Sequence, residues 1–218
     1  VGTSGLWAHA ADAPRLATYD NAAGDTFFAL SLSAGSGVPT ASANDVVVLF
    51  DTSASQTGIY RDDALTALTT MLGSLGENDR VHLMACDLNA IPLTDGFVAA
   101  QGPAMEAALQ KLRRRAPLGS TDMRNALTAA AASLATKSNH GRSVVYIGDG
   151  MSRGGLLQHQ RFADLVKTLS AARASVSSLA IGPQRDVNTL AAIANQTGGV
   201  VVVDSDDVSP QQTGMLLT

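Results

Sequence analysis

Apolar and polar positions form a regular succession of blocks along most of this 218-residue chain. Short β-branched apolar runs are typical of strands buried on both faces, and longer segments carry apolar residues at helical spacing. The predicted strands are Asp45–Phe50, Arg80–Leu88, Pro92–Ala99, Arg142–Gly148, Ser175–Ile181 and Val200–Asp204. The predicted helices are Arg61–Leu75, Pro103–Arg115, Asp122–Thr136, Leu156–Arg173 and a segment from the N-cap Asp186 to before Gly198.

The order of these elements predicts an α/β fold with three layers. Strands that alternate with helices favour a doubly wound, Rossmann-like and mostly parallel sheet with helices on both faces. The segment Pro92–Ala99 is the exception, because the connection Asn89–Ile91 is too short for a crossover between parallel strands. We therefore expect this segment to be an antiparallel strand at one edge of the sheet.

The chain before this regular pattern is predicted to be an N-terminal extension, residues 1–43, followed by the main domain, residues 44–218. One apolar run, Phe27–Leu32, predicts a strand at about residues 26–33 that extends the margin of the sheet or pairs beside the core. Ser33–Asn44 is rich in Ser, Ala and Gly and is expected to be a linker. Because the chain starts at Val1 and Asp207–Thr218 resembles a helix that stops early, we interpret it as a fragment of a longer protein.

Composition and charge argue against several functional classes. Hydrophobic residues make up 45% of the chain and charged residues 16%, which suits a packed core rather than a disordered chain. The net charge of −4 and the aromatic content of 4% argue against nucleic-acid binding. The single cysteine, Cys86, excludes an internal disulfide and a multi-cysteine zinc site. No run of about 18 apolar residues occurs, so no membrane contact is expected.

Polar loops follow the predicted strands at the edge where doubly wound sheets bind ligands, beyond the carboxyl ends of the strands. These loops offer two carboxylates and three hydroxyls: Asp51, Ser53, Ser55, Thr121 and Asp149. Oxygen donors without imidazole or thiolate suit hard cations such as Mg²⁺, Mn²⁺ or Ca²⁺. We therefore expect the five residues to converge on one divalent cation, whose charge the two carboxylates roughly neutralise.

Three sequence motifs carry these residues, in a fixed order. They are D-x-S-x-S (Asp51–Ser55) after an apolar strand, G-S-T-D (Gly119–Asp122) before a helix, and G-D-G (Gly148–Gly150) after another apolar strand. Together they resemble the metal-ion-dependent adhesion site of von Willebrand factor type A domains. The resemblance runs from about Asp45 to the C-terminus. Many members of that family have glycine where this chain has Ala54, a difference that stiffens the loop.

The resemblance implies a role for each site residue. Ser53, Ser55 and Thr121 would hold the cation directly, whereas Asp51 and Asp149 would act directly or through water. A glutamate or aspartate carboxylate of a partner protein would complete the coordination. The loops around the metal would contact the partner through Gln56, Ser120, Gly150 and Met151.

A narrower resemblance concerns the source of the protein. The run GDTFFALSL is similar to the lead-in strand of bacterial and inter-alpha-trypsin-inhibitor-like relatives. The phrases DTSASQTG and YIGDGMSR are similar to large exported proteins of planctomycete-type bacteria. This resemblance favours an extracytoplasmic or cell-surface location.

The leading functional hypothesis is a metal-dependent protein-binding module of the adhesion type that is not an enzyme. Two alternatives stay open: a Mg²⁺-dependent hydrolase of phosphate esters, and a structural domain whose metal site is empty. No Ser-His-Asp or Cys-His set and no G-x-S-x-G motif is visible. Cys86 and His82 are expected to pack inside a strand, and His140 and the run Arg113–Arg115 are expected to be solvated.

Overall fold

The computed structural model describes residues 15–31, 43–135, 138–152 and 159–217. The chain divides into two compact units, Val1–Thr40 and Ala41–Thr218. The predicted linker as far as residue 42 and the predicted helix start at Leu156 lie outside the described residues.

In the first unit, the described residues form an antiparallel hairpin of β1 (Arg15–Asp20) and β2 (Thr26–Ser31). The turn is held by Asn21, whose Oδ1 accepts hydrogen bonds of 2.9 Å from the backbone N–H groups of Ala23 and Asp25. Only the second strand was expected, and the expectation that it extends the margin of the main sheet was wrong. It pairs with β1 in a sheet of its own, because the Asn-centred turn reverses the chain.

The second unit contains the central sheet. Its strands are β3 (Asn44–Asp51), β4 (Arg80–Cys86), β5 (Ala90–Pro92), β6 (Val98–Ala99), β7 (Gly141–Gly148), β8 (Ser175–Ala180) and β9 (Val201–Val203). Hydrogen bonding orders them β5-β4-β3-β7-β8-β9, with β6 also paired to β4. The pairs among β3, β4, β7, β8 and β9 are parallel, which confirms the doubly wound α/β fold.

The antiparallel edge is made of two short strands rather than one. Both β5 and β6 run antiparallel to β4, as expected, but a continuous strand over 92–99 was wrong. The interruption lies at Thr94, whose hydroxyl accepts the Leu83 N–H at 3.1 Å and bonds the Gly96 carbonyl at 2.9 Å. This side chain therefore takes over a backbone position in the ladder, and the chain turns at Gly96, where φ is 67°.

Helices cover both faces of the sheet. They are α1 (Ile59–Ser74), α2 (Pro103–Arg114), α3 (Met123–Ser133), α4 (His159–Ala171), α5 (Val187–Thr197) and α6 (Pro210–Met215). Apolar side chains of α1 and α2 belong to one core, and those of α3, α4 and α5 belong to a second. None of the helices in the described part of the chain is long and apolar enough to cross a membrane.

The central strand β3 separates the two cores. Val46, Val48 and Phe50 pack with α1 and α2, whereas Val47 and Leu49 pack with the helices of the other face. All five side chains are buried. Because successive residues of a strand point to opposite faces, an uninterrupted apolar run is what a strand between two helical layers requires.

Candidate metal-binding site

The two predicted carboxylates lie at the carboxyl ends of neighbouring parallel strands. Asp51 ends β3, and Asp149 follows β7; the register pairs Phe50 with Ile147 just before them. The chain continues from β3 to β4 on one side, whereas β7 lies on the other side. The carboxylates therefore lie at the point where the strand order reverses, which is the usual ligand position in this type of sheet.

The predicted hydroxyls join the two carboxylates into one cluster. Ser53 Oγ lies 3.0 Å from Ser55 Oγ, and Ser55 Oγ donates to Asp149 Oδ2 at 2.5 Å. Thr121 Oγ1 lies 2.9 Å from both carboxylate oxygens of Asp51. The structure thus brings all five predicted residues together, and their role as metal ligands stays a prediction.

Backbone hydrogen bonds hold the loops that carry the hydroxyls. The Ser53 N–H donates to Asp51 Oδ1 at 2.8 Å, and the Ala54 N–H donates to the Gly119 carbonyl at 3.1 Å. Thr121 does not cap the following helix, because Asp122 accepts the Asn125 N–H at 2.9 Å and is its N-cap. The Thr121 hydroxyl is therefore free to point at Asp51.

Asp149 is fixed by the two loops around it. Its Oδ1 accepts the Met151 N–H and its carbonyl accepts the Asp186 N–H, both at 2.8 Å. Gly182 lies against it: a Cβ added there would be 2.9 Å from Asp149 Cβ, and φ is 142°. This close approach explains why glycine stands at the beginning of the loop after β8.

Tyr146 is a site residue that the sequence analysis did not identify. This fully buried side chain donates from its hydroxyl to Asp51 Oδ2 at 2.7 Å and accepts the Gly150 N–H at 3.2 Å. Room for this contact comes from Gly148, where an added Cβ would lie 2.4 Å from Asp51 Cβ and 2.6 Å from the tyrosine oxygen. The signal in the sequence was a tyrosine in an aliphatic strand, because a buried hydroxyl needs a partner.

Among the residues that the structure describes, none of those lining the site cavity is basic. Burial raises the pKa of Asp51, and Asp149 adds to this rise, although hydrogen bonds from Tyr146 and Ser53 oppose it. Among the described residues, no Lys, Arg or His forms a salt bridge with Asp51 or Asp149. Two buried carboxylates without a basic partner fit a site for a divalent cation.

The donor set determines which cations fit. Within the described ranges, no group of three or more His, Cys, Asp and Glu residues could hold a metal ion. A cation at this site would therefore depend on the three hydroxyls as well as on the two carboxylates. Such all-oxygen sets suit Mg²⁺, Mn²⁺ or Ca²⁺. The nearby Cys86 is buried in the core, and burial together with Asp51 raises the pKa of its thiol, which does not favour a thiolate ligand.

The cluster opens into a cavity of about 330 Å³. Its wall is formed by Ser53, Ala54, Ser55, Gly119, Ser120, Thr121, Asp149, Met151, Pro183 and Gln184. Two of the four predicted partner contacts, Ser120 and Met151, lie in this wall. Pro183 and Gln184 were missed, because the loop after β8 carries no motif.

The other two predicted partner contacts are placed differently. Gln56 is only 1% exposed, and its Nε2 donates to the Ile181 carbonyl at 3.0 Å. Gly150 is also buried, and a Cβ added there would lie 2.9 Å from Leu190 Cγ. Both residues are therefore buried beneath the loops and do not face the cavity.

Comparison with known proteins shows the family to which the fold belongs. Residues 44–203 match the family model described as von Willebrand factor type A domain. None of the curated proteins matches the chain.

Three solved structures are similar in fold. An aerotolerance-related membrane protein from Bacteroides fragilis is 15% identical with a TM-score of 0.64, over 79% of this chain and 96% of that one. A von Willebrand factor type A protein from Catenulispora acidiphila is 17% identical with a TM-score of 0.67, over 97% of this chain and 50% of that one. Proximal thread matrix protein 1 from the mussel byssus, described with a zinc-occupied MIDAS motif, is 14% identical with a TM-score of 0.62, over 81% and 46%.

Proposed function

We propose, from the premise that this chain belongs to the von Willebrand factor type A domain family, that it is a divalent-cation-dependent protein-binding module. Its partner would be a protein that offers a glutamate or aspartate side chain. The observation that carries this proposal is the convergence of two buried carboxylates and three hydroxyls at an open cavity. We propose a non-enzymatic role at this site.

Each residue of the cluster has a part in this proposal. Ser53, Ser55 and Thr121 would hold Mg²⁺, Mn²⁺ or Ca²⁺ directly, and Asp51 and Asp149 would act directly or through water. The bound cation would supply a positive charge with an exchangeable position that favours an anionic oxygen over water. The mussel byssus protein described with zinc in its MIDAS motif supports a divalent ion in this fold, whereas the hard oxygen donors here favour the harder cations.

The hydrolase alternative receives no support from the described histidines. His82 Nδ1 lies 2.9 Å from Thr94 Oγ1, and burial lowers the pKa of this histidine. His140 was expected to be solvated; it is partly exposed, and its Nδ1 also lies 2.9 Å from Asp45 Oδ1. Neither histidine belongs to the wall of the site cavity, and among the described residues of that wall only a carboxylate could serve as a general base for hydrolysis.

The first test is thermal unfolding with and without divalent cations. A ligand that binds only the folded chain stabilises it by about 2.7 kcal/mol at a hundredfold excess over Kd. We expect Mg²⁺ or Mn²⁺ to raise the melting temperature of the wild type and of the control Asp164→Ala, whose side chain is exposed on α4. In Asp51→Ala the rise should disappear, and an unchanged rise would place the cation elsewhere.

The second test asks whether the bound cation accepts a carboxylate. Sodium acetate is the probe, and acetamide is its neutral control at the same concentration. We expect acetate to raise the melting temperature further only when Mg²⁺ is present and only in chains with intact Asp51. Equal effects of acetate in Mg²⁺ and in chelator would contradict a metal-held acidic group.

A further inference from the structure

A second cavity adjoins the proposed metal site. It measures about 550 Å³, and its wall includes Asp87, Leu88, Asn89, Arg115, Leu118 and Gly119; we call it the leucine groove. Gly119 also belongs to the wall of the metal-site cavity, so the two cavities share a boundary. A segment that extends from the metal-site cavity across Gly119 enters the groove.

Two large apolar side chains in the groove are open to solvent. Leu118 is 75% exposed and Leu88 is 51% exposed. Neither lies on a loose loop. The Leu118 N–H donates to the Thr52 carbonyl at 2.9 Å, and the Leu88 carbonyl accepts from Asn125 Nδ2 at 2.9 Å. Exposed apolar side chains on a fixed backbone beside a binding site mark an interaction surface, because little backbone entropy of this chain is lost when a partner binds.

The polar part of the groove is already neutralised. Arg115 was expected to be solvated with its neighbours, but its Nη2 donates to Asp87 Oδ2 at 2.5 Å and its Nε donates to Thr52 Oγ1 at 3.1 Å. The groove therefore carries a matched ion pair rather than an excess charge. A charged side chain of a partner would gain little binding free energy there, whereas an apolar side chain of a partner would bury the two leucines.

We propose that the leucine groove is the second contact of the metal site and takes an apolar side chain of the same partner. The partner segment would carry a glutamate or aspartate and, within a few residues, a leucine, isoleucine or phenylalanine. This inference rests on the proposed function, because the acidic residue at the metal fixes where the apolar residue lies. The metal would require an acidic side chain in the partner, and the groove would determine which acidic segments bind.

The test uses displayed peptides with one fixed glutamate between randomised positions, captured on the chain in Mg²⁺ and released by chelation. We expect apolar residues to be enriched at one position relative to the glutamate. Leu118→Asp should remove that enrichment and weaken the best selected peptide about tenfold, the order expected for losing one buried leucine-sized contact. Leu88→Asp should act in the same direction, whereas Leu216→Asp, a change at a similarly exposed leucine after α6, should leave the selection intact.

The outcomes separate the two proposals. Peptides that need Mg²⁺ and glutamate but show no apolar preference would overturn the groove and leave the metal-dependent function standing. Enrichment that survives both Leu118→Asp and Leu88→Asp would also overturn the groove. If no peptide is released by chelation, the proposed function and this inference both fail. Melting temperatures of the variants, expected to match the wild type because both side chains are exposed, show that the chains are folded.

Discussion

At the scale of single residues, the Tyr146 hydroxyl is the contact that most affects Asp51. It is a buried donor to a carboxylate, and it also accepts the Gly150 N–H. We expect Tyr146→Phe to lower the free energy of unfolding of the metal-free chain by about 1–3 kcal/mol, because two buried polar groups lose their partner. Urea unfolding in chelator measures this loss. The control is Tyr60→Phe, which changes a partly buried tyrosine of the other core; equal losses in the two variants would contradict the assignment.

The raised pKa of Asp51 predicts a dependence of stability on pH. In the folded chain this carboxyl holds its proton more tightly than at its ordinary value of 3.8. Its contribution to stability is therefore full below that value and is lost as the pH rises through the raised pKa. Without divalent ions, we expect the free energy of unfolding of Asp51→Asn to rise relative to that of the wild type as the pH increases from 3.8 to the raised pKa. Above that pKa, the difference should stay constant. Urea unfolding at several pH values measures it, with Asp164→Asn as the control; a difference that does not change with pH would refute the expectation.

Four of the five cluster residues were predictable from sequence because each occupies a fixed offset from the end of an apolar strand, and Thr121 was predictable because its motif directly precedes a helix. The strand-end rule then brings them together, whatever the details of the loops. Gln56 and Gly150 were placed wrongly because position within a loop does not tell which side chains face inward. Thr121 is only 1% exposed, since its hydroxyl bonds Asp51.

At the scale of elements, α1 and α2 are joined by one side chain. Arg61 Nη2 donates to the carbonyls of Leu112 and Arg115 at the end of α2, both at 2.8 Å. The last carbonyls of a helix have no partner within the helix, and a cation satisfies both their hydrogen bonds and the negative end of the helix dipole. Burial lowers the pKa of Arg61, but an arginine still stays charged.

We expect Arg61→Met to lower the free energy of unfolding by about 1–3 kcal/mol, because charged hydrogen bonds to two helix-end carbonyls are lost. Hydrogen exchange should accelerate at residues 112–118, which include the loop that carries Leu118. The control Arg113→Met changes an exposed arginine in the last turn of the same helix. Slow exchange of 112–118 in Arg61→Met would show that this bond does not order the loop.

Most elements were predictable from sequence, and the exceptions have physical causes. The long apolar runs and helical spacings of the second unit gave the correct type of element for β3, β4, β7, β8 and all of the predicted helices in the described residues. The prediction of one continuous strand over 92–99 was wrong because Thr94 replaces a backbone group in the ladder, a contact that depends on Leu83 in another strand. The hairpin strand β1 was not predicted because its apolar pattern is short and its residues are exposed where the structure describes them.

At the scale of the whole molecule, the central strand carries a buried carboxylate at each end. Asp51 has no basic partner among the described residues, whereas Asp45 binds Arg80 of β4 and His140 before β7. Burial alone would raise the pKa of Asp45, but hydrogen bonds from His140 and Arg80 outweigh it and hold the pKa below its ordinary value of 3.8. Asp45 therefore links β3 to its neighbours β4 and β7 at the amino ends of the strands, opposite the metal site.

We expect Asp45→Asn to lower the free energy of unfolding at pH 7 by about 1–3 kcal/mol, because the ion-paired hydrogen bonds become neutral ones. Since the pKa of Asp45 is lowered in the folded chain, its contribution is full above 3.8 and is lost as the pH falls through the lowered value. The difference between variant and wild type should therefore shrink on acidification. Urea unfolding at pH 7 and below 3.8 measures this difference, with Asp164→Asn again as the control. A difference that grows on acidification would contradict the expectation.

The narrow space at Gly148 has a consequence for how relatives of this chain evolve. The tyrosine oxygen and Asp51 both occupy the volume that a side chain at position 148 would need. Tyrosine at 146 therefore requires glycine at 148, whereas glycine at 148 is required even without the tyrosine, because an added Cβ would still lie 2.4 Å from Asp51 Cβ. In a set of homologous sequences that keep the aspartate at position 51, tyrosine at 146 should occur only together with glycine at 148, whereas glycine at 148 should persist where the tyrosine has been lost.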